Sequence, residues 1–161
     1  MSGIFGMNIK MAIYGESHGK SIGVVLDGLP PGLALDEATI AAEMARRAPG
    51  QNALSTARKE SDTVEIQSGF FNGFTTGTPL CARIVNSDQH SKDYSILADK
   101  MRPGHADYAG HVRYQGFNDY RGGGHFSGRL TAPLVFAGAV AKQALAQYGI
   151  VVGSHILQIN D

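Results

Sequence analysis

Tryptophan is absent from the 161 residues, cysteine occurs only at Cys81, and Lys plus Arg balance Asp plus Glu at 14 each. Each shortage removes a class of protein. A single cysteine forms no intramolecular disulfide, which fits a reducing compartment. The six histidines show no His-x-x-x-His spacing and have no cysteine cluster beside them, so no metal site is expected. Zero formal charge gives no bulk attraction to nucleic acid or to an acidic membrane. The longest apolar run, Ala132 to Ala141, stops at Lys142, short of the roughly 18 residues a membrane helix needs. MSGIFGMNIK at the N-terminus lacks the apolar core of a signal peptide. The expectation is a soluble cytoplasmic protein of one domain, with neither nucleic acid nor membrane as partner.

Glycine is in excess, at 21 of 161 residues, about twice its usual ~7% share. It has no three-residue period, which excludes collagen, and an apolar content of 43% excludes disorder. The glycines punctuate short elements. Residues 11–14 and 22–26 read as strands joined through Gly15 to Gly19. Asp36 is placed to cap a helix over 37–47 that closes at Pro49-Gly50. Residues 51–62, mixed in sign, read as an exposed loop. Alternation over 63–69 and 79–85 predicts an antiparallel pair. Ser91 is placed to cap a helix over 92–100, residues 105–116 read as a short exposed helix or loop, and 131–148 form the best helix, with Leu134, Val135, Ala139, Val140, Ala144 and Leu145 at helical spacing before Gly149. A last strand is expected over 150–156. Hairpins alternating with helices suggest an α+β sandwich in which helices pack on antiparallel sheets.

Three clusters offer chemistry. In Gly15-Glu16-Ser17-His18-Gly19, glycines flank an acid, a hydroxyl and an imidazole at a strand end. His18 suits general acid–base work near neutral pH and Ser17 suits holding an anion, while the plainer reading is a tight hairpin whose polar residues face water. In Arg102-Pro103-Gly104-His105-Ala106-Asp107, a guanidinium fork fits carboxylate or phosphate and His105 stands beside it, or the run is simply a capped helix start. The third, 120–131, carries Gly122-Gly123-Gly124 into His125, Phe126, Ser127 and Arg129 ahead of the strongest helix, a pattern suited to an anion. It matches neither the P-loop nor the dinucleotide fingerprint. Arg46 and Arg47 also admit two readings: complements to a helix C-terminus, or site residues. Between Arg102 and Arg129 four arginines and three histidines face two aspartates, which points to a small anionic ligand. His90 and His155, in a polar turn and an apolar strand, read as structural.

Taken together, GESHGKSIGVVLDGLPPG at 15–32, RPGHADYAG at 102–110 and DYRGGGHFSGRLTAP at 119–133 resemble the chorismate synthase family. Smaller matches lie between them in the same order: RRAPGQ at 46, ARKESD at 57, SGFFNGFTTGTP at 68 and NSDQHSKDYS at 86. Members are usually a little over twice this length, so residues 1–161 resemble the N-terminal half of the family domain, with the C-terminal half absent. The resemblance implies a β-α-β sandwich and a carbon–oxygen lyase of aromatic amino acid biosynthesis that eliminates phosphate in 1,4-anti fashion from 5-enolpyruvylshikimate 3-phosphate, giving chorismate. It implies reduced FMN as cofactor, NADPH as an alternative reductant to a separate flavin reductase, and a homotetramer at full length. His18 and His105 become the catalytic residues, and Ser17, Arg47, Arg102, Ser127 and Arg129 the substrate-binding set. His125, Phe126 and Ser127 become the FMN contacts, although many members carry Arg-Ser where His125-Phe126 stand. Ala53 occupies a position where many carry an NADPH-associated arginine, leaving Arg47 as the matching candidate there. The 161 residues by themselves are expected to turn over little; the alternative is a non-catalytic anion-binding or interaction module on the same fold.

Overall fold

Alternation of side chains decides which face of the sheet is buried. In the computed structural model, which describes residues 3–49, 61–87, 94 and 97–160, strand β3 (Ser21–Asp27) turns Ile22, Val24 and Leu26 into the core. Strand β7 (Leu80–Val85) does the same with Leu80, Ala82 and Ile84. With β1 (Ile4–Phe5), β2 (Lys10–Gly15) and β4 (Val64–Ser68) they form an antiparallel sheet in the order β1-β2-β3-β7-β4. The register brings Ile13 opposite Val24 and Val24 opposite Ala82. Both hairpins expected from the sequence are present, and β7 also pairs with β3, which joins them into one sheet. Between β4 and β7 a small hairpin, β5 (Phe70–Phe71) and β6 (Phe74–Thr75), turns on Asn72 and Gly73, both at positive φ, the geometry of the tight hairpin turn.

Helix α1 (Glu37–Arg47) starts where Asp36 accepts from the backbone N–H groups of Ala38 and Thr39 at 3.0 and 3.2 Å. It buries Ile40 and Met44, packing beside helix α3 (Thr131–Ala146). Phe136 and Val140 of α3 are completely enclosed against the sheet, so the core lies between one sheet face and two helices. This is the α+β arrangement expected. A short helix α2 (Asp107–Arg113) and two 3₁₀ segments, Arg121–Phe126 and Gly128–Leu130, complete the described structure.

Four expectations are corrected. Residues 150–156 form no strand: they run exposed, because no strand among the described residues lies beside them to accept a ladder, and a strand without a partner is unstable. His155 is therefore exposed and not part of an apolar strand. Leu134, at helical spacing in α3 as read, is 39% exposed and lines an apolar groove with Phe5, Ile9 and Leu29, while Phe136 takes the core position. Asp62, read as the end of an exposed loop, is buried. The remainder of that loop at 51–60, Ala53 within it, His90, and residues 91–93 and 95–96 of the expected capped 92–100 helix lie outside the described residues, and the described 97–98 form a 3₁₀ turn, not an α-helix.

Candidate active site

The sheet's antiparallel order gathers the site at one end. The turn from β2 to β3, the segment leading into β4 and the residue following β7 all fall at the end where Ser21 faces Val85 and Val64 faces Ile84. The turn is closed by Gly19 N–H donating to Glu16 O at 3.0 Å. Its Ser17 and His18 are 2% and 5% exposed, so the water-facing hairpin reading fails. They are covered by the glycine triplet. Ser17 N–H donates to Gly124 O at 3.1 Å, and a Cβ placed on Gly122 would lie 2.4 Å from His18 Cε1 and 3.0 Å from Ser17 Oγ. Tyr94 meets the His18 ring edge-on, with ring centroids 4.8 Å apart. His125 Nδ1 lies 2.8 Å from Gly15 O; a carbonyl only accepts, so Nδ1 carries the proton.

The triplet does not run directly into α3. The Gly128–Leu130 segment intervenes, with Ser127 Oγ accepting from Arg129 N–H at 3.3 Å. Gly123 N–H donates to Tyr120 O and Ser127 N–H to Gly124 O, so these donors serve the loop itself and the triplet's role is close approach to Ser17 and His18. Phe126 packs under Gly110, where a Cβ would lie 2.7 Å from its ring. With Tyr114, His125, Ser127, Leu130 and Thr131, Phe126 lines a depression of about 590 Å³. A second of about 510 Å³ adjoins it through His125 and Phe126 and reaches Gly15, Glu16 and Asp119.

Every arginine proposed for the site has an aspartate. Arg47 and Arg129 both bond to the carboxylate of Asp62, and Arg129 Nε also donates to Asn86 Oδ1 at 3.2 Å. Arg47 Nε donates to Thr131 Oγ1 at 3.3 Å. Arg102 grips Asp107 in a fork, at 2.8 and 3.0 Å, and its Nη2 lies 3.6 Å from where a Gly123 Cβ would stand. His105 is exposed on the turn this fork anchors. Arg121 forks onto Asp119 at 2.8 and 2.7 Å. Asp62, Asn86 and Tyr94 belong to this cluster and the sequence reading did not select them, whereas Thr131 closed the third cluster it read; the one available signal for the others was an acid, Asp62, directly ahead of an alternating strand.

The forks set a pH dependence. Hydrogen bonds from Arg102 hold the Asp107 carboxyl below the usual carboxylate range despite partial burial. Burial pushes Asp119 up, but its bonds from the Arg121 side chain and backbone outweigh that and leave it lowered. A carboxyl whose pKa is depressed on folding contributes stability that is complete above its unfolded value, about 4, and lost as pH falls through the folded value. The thermal midpoint should therefore hold steady from pH 7 to about 5 and fall below about 4. Asp107→Asn should flatten that acid slope, and an unchanged slope would remove Asp107 from its cause.

Residues 9–161 match the family model described as chorismate synthase. The chain belongs to the chorismate synthase family. The chorismate synthase of Cytophaga hutchinsonii is 49% identical over 159 residues, covering 99% of this chain and 44% of that protein. That of Sulfurimonas denitrificans is 52% identical over 156 residues, covering 97% and 43%. A crystal structure of a chorismate synthase superposes with a TM-score of 0.63 at 30% identity, over 90% of this chain and 36% of that one. The chain thus spans less than half the length of the chorismate synthases it matches. Of the residues that the chorismate synthase resemblance selected, Ser17, His18, Arg47, Arg129 and the triplet come together at one sheet end, Arg102 reaches the triplet, and His125, Phe126 and Ser127 line the adjoining depressions.

Proposed function

We propose that this chain supplies the N-terminal part of a chorismate synthase active site, for elimination of phosphate from 5-enolpyruvylshikimate 3-phosphate. The observation that carries the reading is the enclosure of Ser17 and His18 by the glycine triplet beside the Arg47–Asp62–Arg129 cluster. His18 donates a proton to the departing phosphate; His105 holds a proton at the cofactor side. Arg47, Arg102 and Arg129, with Ser17 and Ser127 as neutral donors, receive the phosphate and two carboxylates of the substrate. Arg47 turns toward Asp62 and Thr131, which favours a substrate role over contact with NADPH.

A largely apolar depression with aromatic walls and a few polar groups suits a flavin ring, and the lining of Phe126, Tyr114 and Leu130 with His125, Ser127 and Thr131 has that character. Reduced FMN, when bound, supplies an electron reversibly, which leaves the elimination without net redox change. Both depressions are open to solvent, and the relatives are more than twice as long, so slight turnover is expected from the 161 residues alone. A chimera joining them to the remaining portion of the Cytophaga hutchinsonii relative should eliminate phosphate in an anaerobic assay with reduced FMN, and should assemble as a homotetramer. A folded chimera that binds substrate without releasing phosphate would overturn the catalytic reading in favour of a non-catalytic anion-binding module.

A further inference from the structure

Both inner arginines converge on Asp62. Its side chain is fully enclosed, one carboxylate oxygen accepting from Arg47 and the other from Arg129. A carboxylate that gives one oxygen to each of two forks fixes their separation, which a carboxylate chelated by one arginine does not do. Its backbone stands at φ 49°, in the left-handed region that aspartate and asparagine tolerate better than other side chains. Asp62 stands two residues before β4, at the end that pairs with the last residues of β7, and Asn86 directly follows β7.

Asn86 is also buried, and its amide is used at both ends. Nδ2 donates to Glu16 O at 3.0 Å and to Gly19 O at 2.8 Å, clasping the turn that carries Ser17 and His18. Oδ1 accepts from Arg129 Nε at 3.2 Å. A continuous path therefore runs from Arg47 through Asp62, Arg129 and Asn86 to that turn. Removing the carboxylate would leave the buried Arg129 and the partly buried Arg47 without the acceptor they share.

We propose that Asp62 and Asn86 are positioning residues: Asp62 sets the spacing of Arg47 and Arg129, and Asn86 ties that pair to the Ser17–His18 turn, so that anion-holding cations and proton donor keep one geometry. This rests on the functional reading above, and its test is chosen to be independent of turnover. The histidine ring resonances of the 161-residue chain are followed by NMR, with His18 assigned through His18→Gln and the methyl groups of Ile22, Val24 and Leu80 reporting on the core. In Asp62→Ala and in Asn86→Ala the His18 ring resonances should shift while those core methyls stay in place. Inorganic phosphate should return the His18 signals toward their original positions in Asp62→Ala, where truncation leaves room for an oxyanion between the two guanidinium groups, and should not do so in Asn86→Ala. If Asp62→Ala does not fold, Asp62→Glu, which keeps the charge and moves it outward, should shift the same resonances without phosphate rescue. In the chimera, each substitution should lower kcat/KM about 10–100-fold, the range for residues that orient those touching the ligand, with Asp62→Ala acting on KM and Asn86→Ala on kcat. Unmoved His18 resonances in folded variants, or phosphate acting equally on both, would overturn the proposal. An inactive unmutated chimera would count against the elimination reading and leave the NMR result standing.

Discussion

Gly124→Ala should destabilise the chain by about 3 kcal/mol or more, near the upper end of single-site backbone effects. Gly124 stands at φ 55°, ψ −127°, a conformation that residues with a Cβ rarely adopt. A Cβ there would lie 2.0 Å from Asp119 O and 3.1 Å from Asp119 C, backbone atoms that no side-chain rotation clears. Relief requires moving the segment that holds the Asp119–Arg121 fork on one side, or the Gly124 carbonyl that receives Ser17 N–H on the other. For a chain of this size each kcal/mol lowers the thermal midpoint by about 2–4 °C, so the variant should melt roughly 10 °C lower. Gly104→Ala and Gly128→Ala serve as controls, because neither site has positive φ and a Cβ at either meets nothing within 4 Å; both should stay within about 0.5 kcal/mol of the parent. The glycine excess thus divides. A Cβ on Gly122 would strike His18 and Ser17, and one on Gly15 or Gly124 the backbone of Ser21 or Asp119, whereas Gly104 and Gly128 meet nothing. A Gly124→Ala midpoint within about 2 °C of the parent would show that the loop relaxes without strain.

What the sequence made legible was local. Period-two alternation placed β4 and β7, an apolar run between glycines placed β3, and a single acidic cap directly ahead of a helical run placed α1, because each signal lies within a few residues of the element it specifies. Local composition also marked Ser17, His18 and the triplet as chemistry. Asp62 and Asn86 escaped because their importance arises at the sheet end, where strands far apart in the chain meet; in sequence each is only a polar residue beside a strand. The 150–156 run failed for the opposite reason. Ile150, Val151 and Val152 have the composition of a strand, but strand formation needs an edge to pair with, and composition does not say whether one is there. Leu134 shows a third limit: helical spacing identifies an apolar stripe, but on a helix as uniformly apolar as α3 it does not select which stripe meets the sheet.

His105→Ala and His18→Ala should separate catalysis from architecture. His105 is exposed on a turn whose shape is held by the Arg102–Asp107 fork, so truncating its ring removes no core contact and should change stability by less than about 0.5 kcal/mol. As a proton-holding group it should nonetheless account for about 10²–10⁴ in kcat of the chimera, with KM nearly unchanged. His18 is enclosed between the Tyr94 ring and the Gly122 backbone, so His18→Ala should lose turnover on the same scale and also lower the thermal midpoint, because the ring leaves a void in a packed site. The diagnostic is the ratio of the two effects in each variant. Lost turnover with intact stability assigns the imidazole to chemistry; equal rises in KM and falls in kcat/KM at constant kcat would make His105 a binding residue and leave His18 as the single acid in the site.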